Sequence, residues 1–157
     1  MIYNIREIQE TEYAALEEFL YQAIYIPEGT LPPERSILKE PALELYIQNF
    51  GKDKDDYGFV AEIEDKIVGA VWVRIMDDYG HVDDESPSFA ISIFPEYRGQ
   101  GIGTALMQRM LSHLRDKGYP RASLAVQKAN AAFRLYSNLG FEIVDENEEE
   151  YIMVYRF

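Results

Sequence analysis

The run Phe89-Ala90-Ile91-Ser92-Ile93-Phe94 stops at Pro95, and Arg98-Gly99-Gln100-Gly101-Ile102-Gly103-Thr104 follows almost at once. From there Ile102, Leu106, Met110 and Leu114 recur four apart on one helix face, closed by Gly118 and Pro120. A nearly uniform apolar strand belongs inside a sheet, and a one-sided helix issuing from its end must pack back onto that sheet. The first amides of such a helix have no partner and lie at the positive end of its dipole, which suits a pyrophosphate. Glycines there let an anion approach the backbone closely.

Several nucleotide-binding motifs share this physics, and spacing separates them. The mononucleotide loop ends in Gly-Lys-Ser or Gly-Lys-Thr, and neither occurs in the chain. The dinucleotide pattern G-x-G-x-x-G is not met, because Gly99, Gly101 and Gly103 alternate with single residues. A nicotinamide dinucleotide is therefore the lesser alternative.

The remaining elements follow from periodicity. Ile2, Ile5 and Ile8 open a short strand. Tyr13, Leu16, Leu20 and Ile24 mark a helix face that Thr11 could cap, and a second helix is predicted from Pro41 to Phe50. Phe59, Ala61 and Ile63 alternate, Asp65-Lys66 makes a turn, and Ile67 to Met76 returns as a strand. Ala122 to Val126 is a strand, and Asn130 can cap a helix that ends at Gly140. Phe141 to Val144 and Tyr151 to Phe157 are strands. The order is βααβββαβαββ, an α/β (α+β) domain of three layers, α/β/α, around a mixed, mainly antiparallel sheet. With 157 residues, a single domain over 1–157 is expected.

Fifteen basic against 28 acidic residues give a net charge of −13, which opposes nucleic-acid binding and enriches cations near the surface. There is no cysteine, so disulfide scaffolds, thiolate metal sites and a cysteine nucleophile drop out. No apolar run is long enough to cross a membrane, and no leader is recognised at the N-terminus, so a cytoplasmic protein without membrane contact is expected. His81 and His113 stand apart from any ligand cluster and imply no metal.

The glycine-rich segment resembles the acyl-CoA loop of the GNAT N-acetyltransferase superfamily: Arg or Gln, two residues, Gly, one residue, then Gly or Ala. Arg98, Gly101 and Gly103 satisfy it, and Asn130, Ala132, Tyr136, Gly140 and Phe141 are similar to the family's second signature. The resemblance implies a GNAT-type acyl-CoA N-acyltransferase topology, with acetyl-CoA as co-substrate. It also implies that the backbone of Ile91 and Ile93 pairs with the pantetheine arm, and that amides of Gly99, Gln100, Gly101, Ile102, Gly103 and Thr104 hold the pyrophosphate. Arg98 would approach a phosphate oxygen, Asn130 would bond the pantetheine or cap its helix, and Phe133 would pack at the thiol end or in the core. Tyr136 would be the general acid for the leaving thiolate.

The general base is less defined. The central strand carries no carboxylate, so Asp83, Asp84 and Glu85 in the preceding loop and Glu62 on a neighbouring strand are the candidates, with Glu85 taken as the base. A bulge or splay near Ile93 would turn an amide toward the thioester oxygen. By analogy of position, Tyr25, Ile26, Glu28, Trp72 and Tyr79 border the acceptor. The implied function is acetyl transfer from acetyl-CoA to a primary amine by direct transfer in a ternary complex. The acceptor would be a small amine, an amino acid, an antibiotic or a peptide N-terminus. A non-catalytic acyl-CoA-binding or sensing module is the alternative. A homodimer could pair along Tyr151 to Phe157.

Overall fold

A computed structural model describes residues 2–157. Its strands are β1 (Asn4–Glu7), β2 (Tyr57–Ile63), β3 (Lys66–Arg74), β4 (Ser88–Ile93), β5 (Arg121–Gln127), β6 (Glu142–Glu146) and β7 (Glu150–Arg156). The helices are α1 (Leu16–Ala23), α2 (Pro41–Glu44), α3 (Ile102–Asp116) and α4 (Ala132–Leu139), so the order expected from the sequence is found.

The strands form one seven-stranded sheet in the order β1-β2-β3-β4-β5-β7-β6, antiparallel at every junction except β4 with β5. Alternation along the strands splits the core between two faces. Phe59, Val71, Val73, Phe89 and Leu124 meet Leu106, Met110 and Leu114 of α3, and α4 joins them with Tyr136. On the other face Val60, Ala70 and Trp72 meet Leu16, Phe19 and Leu20 of α1. The result is the expected three-layer α/β/α arrangement, because each helix has one apolar stripe to bury against the sheet.

Local departures from the sequence reading have simple causes. The first helix begins as a 3₁₀ segment, Glu10–Ala15, capped by Gln9 and not by Thr11. Gln9 and Glu12 form a reciprocal capping box. The second helix stops at Glu44, and the rest of 41–50 continues as turns. Those turns are tied down by Trp72 Nε1 donating to Tyr46 O (3.0 Å) and Arg74 Nη1 donating to Leu45 O (2.9 Å) and Gln48 O (2.7 Å). The β2–β3 turn sits one residue earlier than expected, on Glu64 and Asp65, both with positive φ. Strand β7 lies between β5 and β6, paired with β5 along its length and with β6 over Tyr151–Val154, so that stretch has no free edge for a second copy of the chain.

Candidate functional site

The β4–β5 junction has a single bridge, Ser88 with Ser123. Beyond it the two strands diverge and leave a wedge that opens toward the glycine-rich turn. Phe94 N donates to Val68 O at 2.9 Å, so even-numbered residues of β4 pair with β3. The backbones of Ile91 and Ile93 consequently point into the wedge. The opening comes from strand divergence, since β4 pairs with β3 in unbroken register; the register shifts of the sheet lie at Ala61/Glu62 and Ile143/Asp145. Of the two expected alternatives near Ile93, a bulge or a splay, the strand shows the splay.

At the wide end, Gly99 (φ +75°) and Gly101 (φ +84°) take left-handed conformations with open space where a Cβ would lie. Gly101 is the N-cap of α3, whose ladder starts with Ala105 N donating to Gly101 O at 3.1 Å. The amides of Ile102, Gly103 and Thr104 therefore have no helical acceptor. Gly103 has a second reason to be glycine: a Cβ there would lie 3.2 Å from Ile93 Cδ1. Arg98 is exposed and lies back along the surface, its Nε donating to Ile93 O (2.8 Å) and its Nη2 to Gln22 O (3.4 Å), which ties the loop to the end of β4 and to α1. Gln100 is exposed on the loop.

The second signature lies along the β5 side. Asn130 Oδ1 accepts from Ala132 N at 2.9 Å, capping α4, and its Nδ2 donates to Gln127 Oε1 at 3.3 Å. Phe133 is half-buried, its ring 5.1 Å from that of Tyr151. Tyr136 is 8% exposed, and burial pushes its phenol up to about 12. Edge-on contacts run from Tyr136 to Phe141 (6.1 Å) and from Phe141 to Phe89 of β4 (5.8 Å), which places the tyrosine on the α3 face of the wedge. Its hydroxyl makes no hydrogen bond among the described residues. Across the other face, Tyr25 Oη donates to Ala129 O at 3.4 Å, joining the chain after α1 to the turn after β5.

The acids proposed from sequence lie elsewhere. Asp83 pairs with Arg121 at 2.9 Å, and Glu85, 74% exposed at its side chain, stands 3.8 Å from the same guanidinium. These residues precede Ser88 and Ser123, so they sit beyond the closed end of the wedge. Asp84 is exposed beside His81, and Glu62 is held by Arg6 at 2.9 Å on the outer strands. Of the acceptor candidates, Trp72 is fully buried core, Ile26 and Glu28 are exposed in the loop after α1, and Tyr79 is exposed near the β6–β7 hairpin. No group of three or more His, Cys, Asp or Glu among the described residues could hold a metal, and no described helix is long and apolar enough to cross a membrane.

A family model described as the acetyltransferase (GNAT) family matches residues 10–141. The chain belongs to the GNAT acetyltransferase family. Among solved structures, the GNAT chain is similar to the PaiA N-acetyltransferase of Thermoplasma acidophilum in complex with coenzyme A, with TM-score 0.73, 19% identity and full coverage of both chains (100% each). It is also similar to the ribosomal-protein-alanine N-acetyltransferase of Brucella melitensis (TM-score 0.72, 18% identity, 98% and 99% coverage). Both likenesses establish the fold.

Two curated relatives are nearer in sequence. The mycothiol acetyltransferase of Thermobifida fusca is 34% identical over 96 residues, 57% of this chain and 30% of that protein. The ribosomal protein bS18-alanine N-acetyltransferase of Haemophilus influenzae is 37% identical over 68 residues, 43% of this chain and 47% of that one. The matched part thus spans under half the length of either relative.

Sequence reasoning passed over one group in this GNAT chain. Asp78, between β3 and β4, accepts on Oδ2 from Tyr46 Oη (2.8 Å) and Ser88 Oγ (2.9 Å), while its Oδ1 is buried without a partner. Burial, against the pull of those two donors and of the backbone amides of Asp78 and Gly80, raises its carboxyl above the usual carboxylate range. The only sequence signal was an Asp in an acidic loop, one of several that look alike in one dimension.

Proposed function

We propose that the protein is an acetyl-CoA-dependent N-acetyltransferase acting on a primary amine by direct transfer in a ternary complex. The observation that carries this reading is the β4 edge that β5 leaves free beyond Ser88, running into an open glycine turn. Ile91 and Ile93 supply extended backbone for the amide-bearing pantetheine arm, and the free amides of Ile102, Gly103 and Thr104 lie where the pyrophosphate follows. Gly99, Gln100 and Gly101 shape the approach, and Arg98 holds the turn against β4. Asn130 orders the start of α4, and Phe133 lines the same side.

In transfer, the amine nitrogen attacks the thioester carbonyl, the C–S bond breaks, and sulfur takes up a proton. Tyr136 fits the donor role because a phenol near 12 is fully protonated at neutral pH and its hydroxyl is not committed elsewhere. A water relay from Glu85 would have to pass Arg121 and the Ser88–Ser123 bridge, so the geometry gives little support to Glu85 as base.

Calorimetry with acetyl-CoA and measurement of thiol release over a panel of amines, amino acids, aminoglycosides and basic peptides test the proposal. Binding with release on one acceptor class is the expected result. Binding without release on the whole panel favours the sensing module, and failure to bind acetyl-CoA removes the reading.

A further inference from the structure

On the acetyltransferase reading, we propose that Asp78 and Glu150 form the anionic acceptor pocket, in which the Asp78 carboxylate binds the substrate ammonium and takes its first proton. The observations converge on the α1 face of the β4–β5–β7 part of the sheet. Ser88, which donates to Asp78, is the residue bridged to Ser123, so the carboxylate sits where the two half-sheets meet. Ser92 Oγ donates to Phe19 O of α1, and Ser88 shares its parity on β4, which puts Asp78 on the α1 face, opposite Tyr136.

Ser123 is fully buried and its hydroxyl has no partner. Its neighbours Ala122 and Leu124 point into the α3 core, so Ser123 faces the same side as Ser88 and Asp78. Gly80 presses this loop onto β5: a Cβ there would lie 3.1 Å from Ala125 N, so the carboxylate is held against the strand. Asp78 Oδ1 and the Ser123 hydroxyl are thus both buried without a partner on the α1 face, on either side of Ser88. A donor such as an ammonium satisfies both.

Glu150 enters from β7, where it pairs with Gln127 of β5. Burial and the charges of Glu149 and Asp78 raise its carboxyl. Neither Asp78 nor Glu150 has an ion-pair partner among the described residues. Lys128, a cation near this end of the hairpin, is bound to Glu146 at 3.1 Å. Two partly buried carboxylates without a counter-ion are costly alone and favourable around a cation.

The proton balance closes with these residues and solvent. The ammonium gives one proton to Asp78, which passes it to solvent, and the neutral amine forms the N–C bond as the C–S bond breaks. The second nitrogen proton is lost to solvent while Tyr136 protonates the sulfur and is itself reprotonated. One amide, one thiol and one net proton result.

Lysinamide is a suitable probe, titrated into the CoA-loaded wild type, Asp78→Asn and Glu150→Gln, with acetyl-CoA affinity measured on each protein. We expect acetyl-CoA affinity to be unchanged in all three, lysinamide affinity to fall about tenfold or more in each variant, and the acid limb of the rate profile to vanish in Asp78→Asn. Retention of wild-type lysinamide affinity by Asp78→Asn, or no lysinamide binding by the CoA-loaded wild type, would overturn the pocket. Loss of acetyl-CoA binding by the wild type would instead overturn the reading beneath it.

Discussion

Tyr136 and Asp78 are both polar groups kept from water, and burial moves both toward their protonated forms. For the phenol this is useful in a proton donor; for the carboxylate it makes a stronger base. Tyr136→Phe removes an oxygen that holds no structural hydrogen bond, so it should leave the melting temperature near that of the wild type. Turnover should fall by about a hundredfold, with the KM for acetyl-CoA little changed. Steady-state kinetics beside a thermal melt check this, and wild-type turnover would remove Tyr136 as the acid. Tyr136 was legible in sequence through its place between Asn130 and Gly140-Phe141. Asp78 was not, since its value rests on Tyr46 and Ser88, 32 and 10 residues away.

Among the elements, the β4-turn-α3 unit was the most legible, because strand composition, glycine spacing and helix period all agree there. Its α3 start depends on a left-handed Gly101. Gly101→Ala should cost about 1 kcal/mol from the positive φ and should weaken acetyl-CoA binding, as read by denaturant midpoints and calorimetry. The least legible element was the 41–50 segment, whose helix is cut short by hydrogen bonds from Trp72 and Arg74 on a strand far along the chain. At the other edge, Glu12 both closes the capping box and grips Arg6 at 2.7 Å, and the guanidinium holds its carboxyl below the usual range. That stabilisation is complete above the unfolded carboxylate pKa and is lost as pH falls through the folded one. Glu12→Gln should therefore be less stable than wild type near neutrality, by about 1 kcal/mol, with the gap closing in acid. Urea midpoints at neutral and acid pH would show it.

Across the whole molecule, the carboxylates pull stability in opposite directions. Glu12, Glu18 and Asp83 are lowered, the first two chiefly by hydrogen bonds from Arg6 and Arg35, and their contribution fades in acid. Asp78 and Glu150 are raised by burial, so the folded state binds more protons than the unfolded one between their unfolded and folded pKa values. Stability falls as pH rises through that window. Asp78→Asn should accordingly melt higher than wild type at neutral pH while losing activity, a trade found where function requires an uncomfortable group. A melting temperature below wild type at neutral pH would show that the Tyr46 and Ser88 bonds to the charge outweigh its burial. Charge count and helix and strand order were readable from one dimension; the pairing of these acids was not, because it depends on which loops the sheet brings together.

The lone Ser88–Ser123 bridge has a further consequence for the life of the protein. A sheet joined at one rung along its middle is two leaves held by that rung and by the helix packed across both, and a molecule lying between them adds a tie along the edges the strands leave open. Bound thioester at a hundred times its Kd would add about 2.7 kcal/mol to the folded state. Copies that go without it would open more often, meet proteases more often, and turn over sooner. On the acetyl-transfer proposal, the amount of protein in the cell would then follow the supply of acetyl-CoA.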